Sequence, residues 1–143
     1  MELTVKHFSE LTTLELYDIL RARVAVFVVE QECPYQELDG DDLDAFHLML
    51  RDGDELVAYV RVYPRGEDQG RVGRVITLRR GKGLGKIVME AGVELVRDRL
   101  GKKQVYIEAQ CYAIGFYEKV GFRVASEEFM EDGIPHVVML RDL

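Results

Sequence analysis

Apolar and polar positions along the chain recur with periods that change at a few sharp points. Leu3, Val5 and His7 alternate with polar neighbours, the two-residue period of a strand. Ser9 and Thr12-Thr13 then offer caps for a helix whose positions Leu14, Tyr17, Leu20, Val24, Phe27 and Val28 fall on one face. That helix, whole or in two pieces, is expected to end before Cys33-Pro34. Phe46 to Leu50 and Leu56 to Tyr63 read as paired strands joined at Asp52-Gly53, since Asp-Gly tolerates the positive φ of a tight hairpin. A polar loop is expected over 64–70, and Val72 to Leu78 reads as a fourth strand that enters a glycine-rich turn. Leu84, Ile87, Val88, Ala91 and Leu95 then follow a helical period, with Gly101 as the stop. Val105 to Ala109 is the fifth strand and Tyr112 to Val120 a short helix ended by Gly121. Phe122 to Ala125 and His136 to Leu140 are the closing strands. No repeat or linker interrupts this order, which predicts one α/β domain over residues 1–143, built around a central sheet.

Composition narrows the class. With 143 residues, 48% of them hydrophobic, the chain can bury an ordinary core. No apolar run is long enough to cross a bilayer, and Met1 to Lys6 has neither the basic region nor the apolar core of an export signal. The expectation is a cytoplasmic protein with no membrane partner. Cys33 and Cys111 lie in no Cys-x-x-Cys pattern and are expected as reduced thiols, with no metal site.

Charge matters through its placement. The formal net charge is −7, and seven acids (Glu30, Glu32, Glu37, Asp39, Asp41, Asp42, Asp44) fall between Glu30 and Asp44 with no Lys or Arg among them. The remaining 26 − 7 = 19 acids balance the 19 bases. Nucleic acid is thereby disfavoured, because no basic stripe would neutralise phosphates. The acidic run reads either as a solvated surface or as a rim that attracts an amine.

The strongest chemistry lies in Arg80-Gly81-Lys82-Gly83-Leu84-Gly85-Lys86, between a strand and a helix start. Backbone N–H groups there lack intrahelical partners and the helix dipole favours an anion, so the turn suits a phosphate. It does not spell a Walker A loop, which would need Gly where Arg80 stands and Ser or Thr where Ile87 stands. Nor is it a dinucleotide fingerprint, since the last glycine would fall on Lys86 or Val88.

The spelling that fits is Arg-x-x-Gly-x-Gly, and with it the chain resembles the GNAT superfamily of acyl-CoA N-acyltransferases. A second signature of that superfamily stands at Ala113 to Phe122, and Val26 to Tyr35, Glu37, Asp39, His47 and Glu131 to His136 resemble its ElaA-like branch. The resemblance implies a mixed, mostly antiparallel sheet flanked by helices and splayed between its fourth and fifth strands. It implies acetyl-CoA as co-substrate. The pantetheine arm would lie along Val75, Ile76 and Thr77, with the pyrophosphate on Gly81 to Lys86, and Tyr117 would face the thioester sulfur as acid. Gln110 stands where the family usually has Asn, and the connection from Val75 to Arg80 looks about two residues short.

An acetyl transfer of this kind needs an acceptor amine free of its proton. Removing a proton from an alkylammonium of pKa about 10.4 costs roughly 4.6 kcal/mol at pH 7. Glu30, Glu32, Asp39, His47 and Glu108 are the candidate bases, and Glu30, Tyr35 and Asp39 the candidate contacts to the acceptor. His47 could equally point into the sheet. A backbone N–H of the fourth strand would hold the oxyanion. The expected partner is a small-molecule or peptide amine, and a homodimer stays open. The alternative class is a non-catalytic acyl-CoA sensor, favoured by the lack of a carboxylate on the fourth strand.

Overall fold

The computed structural model describes every residue, Met1–Leu143. The alternating N-terminus forms β1 (Glu2–His7), which pairs antiparallel with β2 (Phe46–Asp52). Asp52 and Gly53 turn β2 into β3 (Glu55–Arg65), with Gly53 at φ +61°. β4 (Gln69–Thr77), β5 (Gln104–Gln110), β6 (Arg123–Val124), β7 (Phe129–Glu131) and β8 (Ile134–Asp142) complete an eight-stranded sheet. Its order is β1-β2-β3-β4-β5-β8-β6, with β7 also on β8, and only the β4–β5 pair is parallel.

Helices cover both faces. α1 (Thr13–Val24) starts in a reciprocal capping box between Thr12 and Glu15 and continues as a π-helical turn over Ala25–Glu30. α2 (Leu84–Asp98) lays Val88, Met89, Val93 and Val96 on Leu48, Val60, Val62 and Val72. Odd positions of the same strands, Met49 and Tyr59, meet Ile19 and Ala22 of α1 on the other face. At Gly70 a Cβ would lie 2.6 Å from the Val96 methyls, so only glycine lets α2 approach β4 there. α3 (Ile114–Lys119) follows one 3₁₀ turn at Cys111–Ala113.

Several expectations are corrected. Leu14 and Tyr17 of α1 are 69% and 63% exposed, and the buried face runs through Ile19, Ala22 and Arg23. The helix is turned so that Arg23 can be buried among carboxylates, which apolar periodicity does not register. On α2, Ile87 is exposed while Met89 and Val93 are buried. The loop expected over 64–70 is mostly strand. Pro64 and Arg65 pair with Gly70 and Gln69, and the Arg65 guanidinium stacks 3.8 Å from the centre of the Tyr106 ring. The C-terminal strands are also redistributed, because β7 and β8 form a hairpin about Asp132-Gly133.

No helix is long and apolar enough to cross a membrane, and both cysteines are free thiols.

Candidate active site

The parallel pairing of β4 and β5 covers only Gln69–Arg71 against Gln104–Tyr106; beyond it the strands part. A bulge bends β4 at that point. Tyr59 pairs with Ile76 and Arg61 with Gly73, so Val60 faces both Arg74 and Val75. Arg74 takes φ +53°, a left-handed backbone that costs a non-glycine residue about 1–2 kcal/mol. Its side chain compensates by donating from Nη2 to the Glu37 carbonyl at 2.9 Å and to Asp39 Oδ2 at 3.2 Å.

The parted strands open a cavity of about 430 Å³. Val75 of β4, Ile107, Glu108 and Gln110 of β5, and Tyr117 of α3 form its inner walls. The Gln31–Asp41 segment crosses its mouth, clasped by the mutual amide bonds of Gln31 and Gln110 at 3.2 and 3.3 Å and by Cys33 Sγ on the Asp132 carbonyl at 3.3 Å. Burial pushes the Tyr117 phenol up to about 12, so it keeps its proton at neutral pH. Burial likewise raises Tyr35, which lies under Arg74.

Just beyond this cavity is the glycine turn. Leu78 N–H holds the end of β4 to the Val57 carbonyl at 2.8 Å, and Arg79 bridges to Asp52 and Glu55 of the β2–β3 hairpin. These ties draw the short connection tight, so that only residues 80–83 separate them from the helix. Gly81 and Gly83 take φ +78° and +71°, and Gly83 caps α2 with no side-chain acceptor. The first amides of α2 are therefore free to meet an anion. Arg80, Lys82 and Lys86 are exposed beside them. Gly85 packs on Phe116, where a Cβ would come within 3.3 Å. An unpaired strand edge on β4 and an uncapped, basic helix start are the groups that a pantetheine arm and a pyrophosphate require, so these residues fit acyl-CoA.

The acidic segment behaves differently from a solvated run. Arg23, 0% exposed, binds Glu37 through Nε and Nη2 at 2.6 and 2.7 Å and Asp42 through Nη1 at 2.6 Å. Arg61 forks onto Asp39 at 2.9 and 3.1 Å and reaches Asp42 at 3.2 Å. Burial alone would raise the carboxyls of Asp39 and Asp42, but the guanidiniums of Arg61 and Arg23 hold both below the usual range.

The sequence-derived site residues therefore separate. Val75, Glu108, Gln110, Tyr117, Tyr35 and Asp39 all line the cavity, although both Asp39 oxygens are engaged by arginines. Ile76 turns into the α1 core and the Thr77 methyl lies beside Gly85. Glu30 is outside the cavity, paired with Arg80 over the glycine turn. His47 is 0% exposed, with Nδ1 at 2.6 Å from the Tyr59 hydroxyl and Nε2 at 3.0 Å from the Asp42 carbonyl. Burial lowers its proton affinity, and it does not reach the cavity. Arg71, Glu131 and His136, which were not singled out for catalysis, do line it. Glu131 and His136 flank an Asp-Gly pair, the same hairpin signal that located the β2–β3 turn.

Comparison with known proteins gives the same assignment. The Acetyltransferase (GNAT) domain family matches residues 14–143. The chain is 43% identical to protein ElaA of Escherichia coli K12, over 96% of this chain and 94% of that protein. The crystal structure of E. coli ElaA superposes with a TM-score of 0.92 at 41% identity, covering 99% of each chain. An acyl-CoA N-acyltransferase from Pseudomonas aeruginosa superposes with a TM-score of 0.91, also at 41% identity and 99% of each chain. With the splayed strands, the uncapped glycine turn and these relatives agreeing, the chain belongs to the GNAT family of acyltransferases, in the branch that includes ElaA.

Proposed function

We propose that the protein is a cytoplasmic N-acetyltransferase that moves an acetyl group from acetyl-CoA directly to a primary amine of a small molecule or peptide. The observation that carries this reading is the cavity between β4 and β5, which puts the Tyr117 phenol and the Glu108 carboxylate in one enclosure at the end of an anion-ready turn. Among the candidate bases named from sequence, Glu108 alone lies in the cavity without both oxygens captured. Its Oε2 accepts from Tyr106 at 2.8 Å and lies 3.2 Å from Arg71 Nη2, which leaves Oε1 for an ammonium. Acidic side chains on the cavity wall (Asp39, Asp41, Glu108, Glu131, Asp132) outnumber the arginines (Arg61, Arg71, Arg74) by 5 to 3, a balance that favours a cationic acceptor. Tyr117 serves as the donor toward the departing sulfur, and a β4 amide near Val75 as the donor to the oxyanion.

The test is thiol release from acetyl-CoA in the presence of a panel of amines, with the acetylated product identified by mass. Tyr117→Phe is expected to lower kcat about 100-fold while leaving acetyl-CoA affinity within about threefold. Tight acetyl-CoA binding with no transfer to any amine would instead identify a sensor, the reading that keeps the same cofactor groove without chemistry.

A further inference from the structure

We propose that Glu131, set between Glu108 and His136, is the group that takes the proton from the acceptor ammonium. The inference rests on the amine-acetylation reading and names the base that reading needs. Three observations place the proton there, beginning with the hairpin that carries it. β7 and β8 turn at Asp132 and Gly133, with φ +51° and +76°, and Glu131 pairs with Ile134 at the last rung before the turn. This register brings Glu131 to the cavity wall beside the Glu108 carboxylate.

The second observation is His136. Its residue is 8% exposed, its ring stacks on Phe129 at 5.9 Å, and Nδ1 donates to the Ile134 carbonyl at 2.7 Å. With the proton fixed on Nδ1, a neutral ring presents Nε2 as a lone pair. That nitrogen makes no hydrogen bond within the protein, lies 3.7 Å from Glu131 Oε2, and belongs to the same cavity wall. A buried imidazole with an open acceptor is a proton relay waiting for a donor.

The third is the division of partners between the two carboxylates. Glu108 is held by Tyr106 from its own strand and by Arg71 from β4, whereas Glu131 has no arginine or tyrosine bonded to it and faces Glu108 on one side and His136 on the other. Burial first, and the Glu108 charge second, raise the proton affinity of Glu131; the opposing pull comes from His136 only when its ring is protonated, and from Arg71. A carboxylate whose affinity is raised toward the working pH is a better base than an arginine-bound one.

The proton balance closes. The ammonium loses one proton to Glu131, and the neutral amine attacks the thioester carbon. The C–N bond forms and the C–S bond breaks. The nitrogen sheds its second proton as the amide forms. One of the two protons ends on the thiol sulfur by way of Tyr117, and the other leaves to water through Glu131 and His136 Nε2.

Thiol release from saturating acetyl-CoA, with 1,4-diaminobutane and a lysine-containing peptide as acceptors between pH 5.5 and 9, tests the assignment. Glu131→Gln is expected to lower kcat/KM by about 100-fold at pH 7, and the deficit should shrink as rising pH supplies free amine directly. In Glu108→Gln the acid limb of the wild-type profile should move to lower pH, because a neighbouring negative charge is gone. A Glu131→Gln variant within threefold of wild type, or an acid limb that stays in place in Glu108→Gln, overturns the role. The ¹³C-carboxyl titration of Glu131, which needs no turnover, should move to lower pH in Glu108→Gln; an unmoved titration overturns the shared environment. Wild type that binds acetyl-CoA but releases no thiol with either acceptor overturns the amine reading itself, and this role with it.

Discussion

Around Arg23, guanidiniums and carboxylates are closed on one another, whereas around Arg80 cations and backbone amides stand open at a helix start. In the first region Arg23, Arg61 and Arg74 meet Glu37, Asp39 and Asp42 with little exposure, and the result is a pinned segment across the mouth of the cavity. In the second, Gly83 begins α2 with no capping side chain, and Lys82 and Lys86 face solvent. Both regions are rich in arginine, yet in the first the guanidiniums are taken up by carboxylates, with only Arg61 Nε and Arg74 Nε left unpartnered and buried, whereas the second presents free amides and exposed cations to solvent. Buried charges that satisfy each other define shape, and groups left open at a surface define a binding function.

Breaking the closed region should give the largest effect. Glu37→Gln removes the bidentate partner of Arg23 and leaves a buried guanidinium undercompensated, which should cost about 3–5 kcal/mol. Chemical unfolding of the variant checks the value, and a loss below about 1 kcal/mol would mean the network is better solvated than its burial implies. Acid should open the same network. The carboxyls of Asp39 and Asp42 are held below their ordinary value, so the stability they add is complete above about pH 4 and is lost as pH falls further.

This contrast also explains what the sequence made legible. Gly81 and Gly83 act through local backbone geometry, so their spacing was enough to mark the turn that starts α2 without a capping side chain. Tyr117 and the splay followed from resemblance, and the structure places Tyr117 on the cavity wall. Glu30 and His47 were harder to place because their partners are remote in sequence. Arg80 lies fifty residues after Glu30, and Tyr59 reaches His47 only once β2 and β3 are in register. The buried face of α1 was misplaced for the same reason, since Arg23 counts as polar until Glu37 and Asp42 come to it. Glu131 was within reach of the Asp-Gly hairpin rule, applied at residues 52–53 and not at 132–133.

Disturbing the open region should affect binding well beyond the modest backbone strain that a side chain at φ +71° adds to the fold. Gly83→Asp places a carboxylate at the uncapped helix start, where a Cβ meets nothing within 4 Å. Repulsion of the pyrophosphate should weaken acetyl-CoA binding roughly a hundredfold by calorimetry. Gly66→Asp is the matched control, a glycine of similar φ (+65°) with equally open space in the β3–β4 turn. It should leave affinity unchanged. Equal losses in both variants would trace the effect to net charge or folding and not to the glycine turn.

The smallest effect lies where the two kinds of behaviour meet, at the exposed Glu30–Arg80 pair. As an exposed ion pair it is worth about 0–1 kcal/mol, and it occupies the arginine that heads the glycine turn. Glu30→Gln should therefore tighten acetyl-CoA binding by up to about fivefold at low ionic strength, and the gain should vanish in high salt as screening takes over. Glu30 would then be a competitor for Arg80, whose removal completes the opening of this region. A loss of affinity, or a fall in kcat with affinity unchanged, would return Glu30 to the acceptor-facing role its sequence position first indicated and would require the π-helical turn to move when substrate binds.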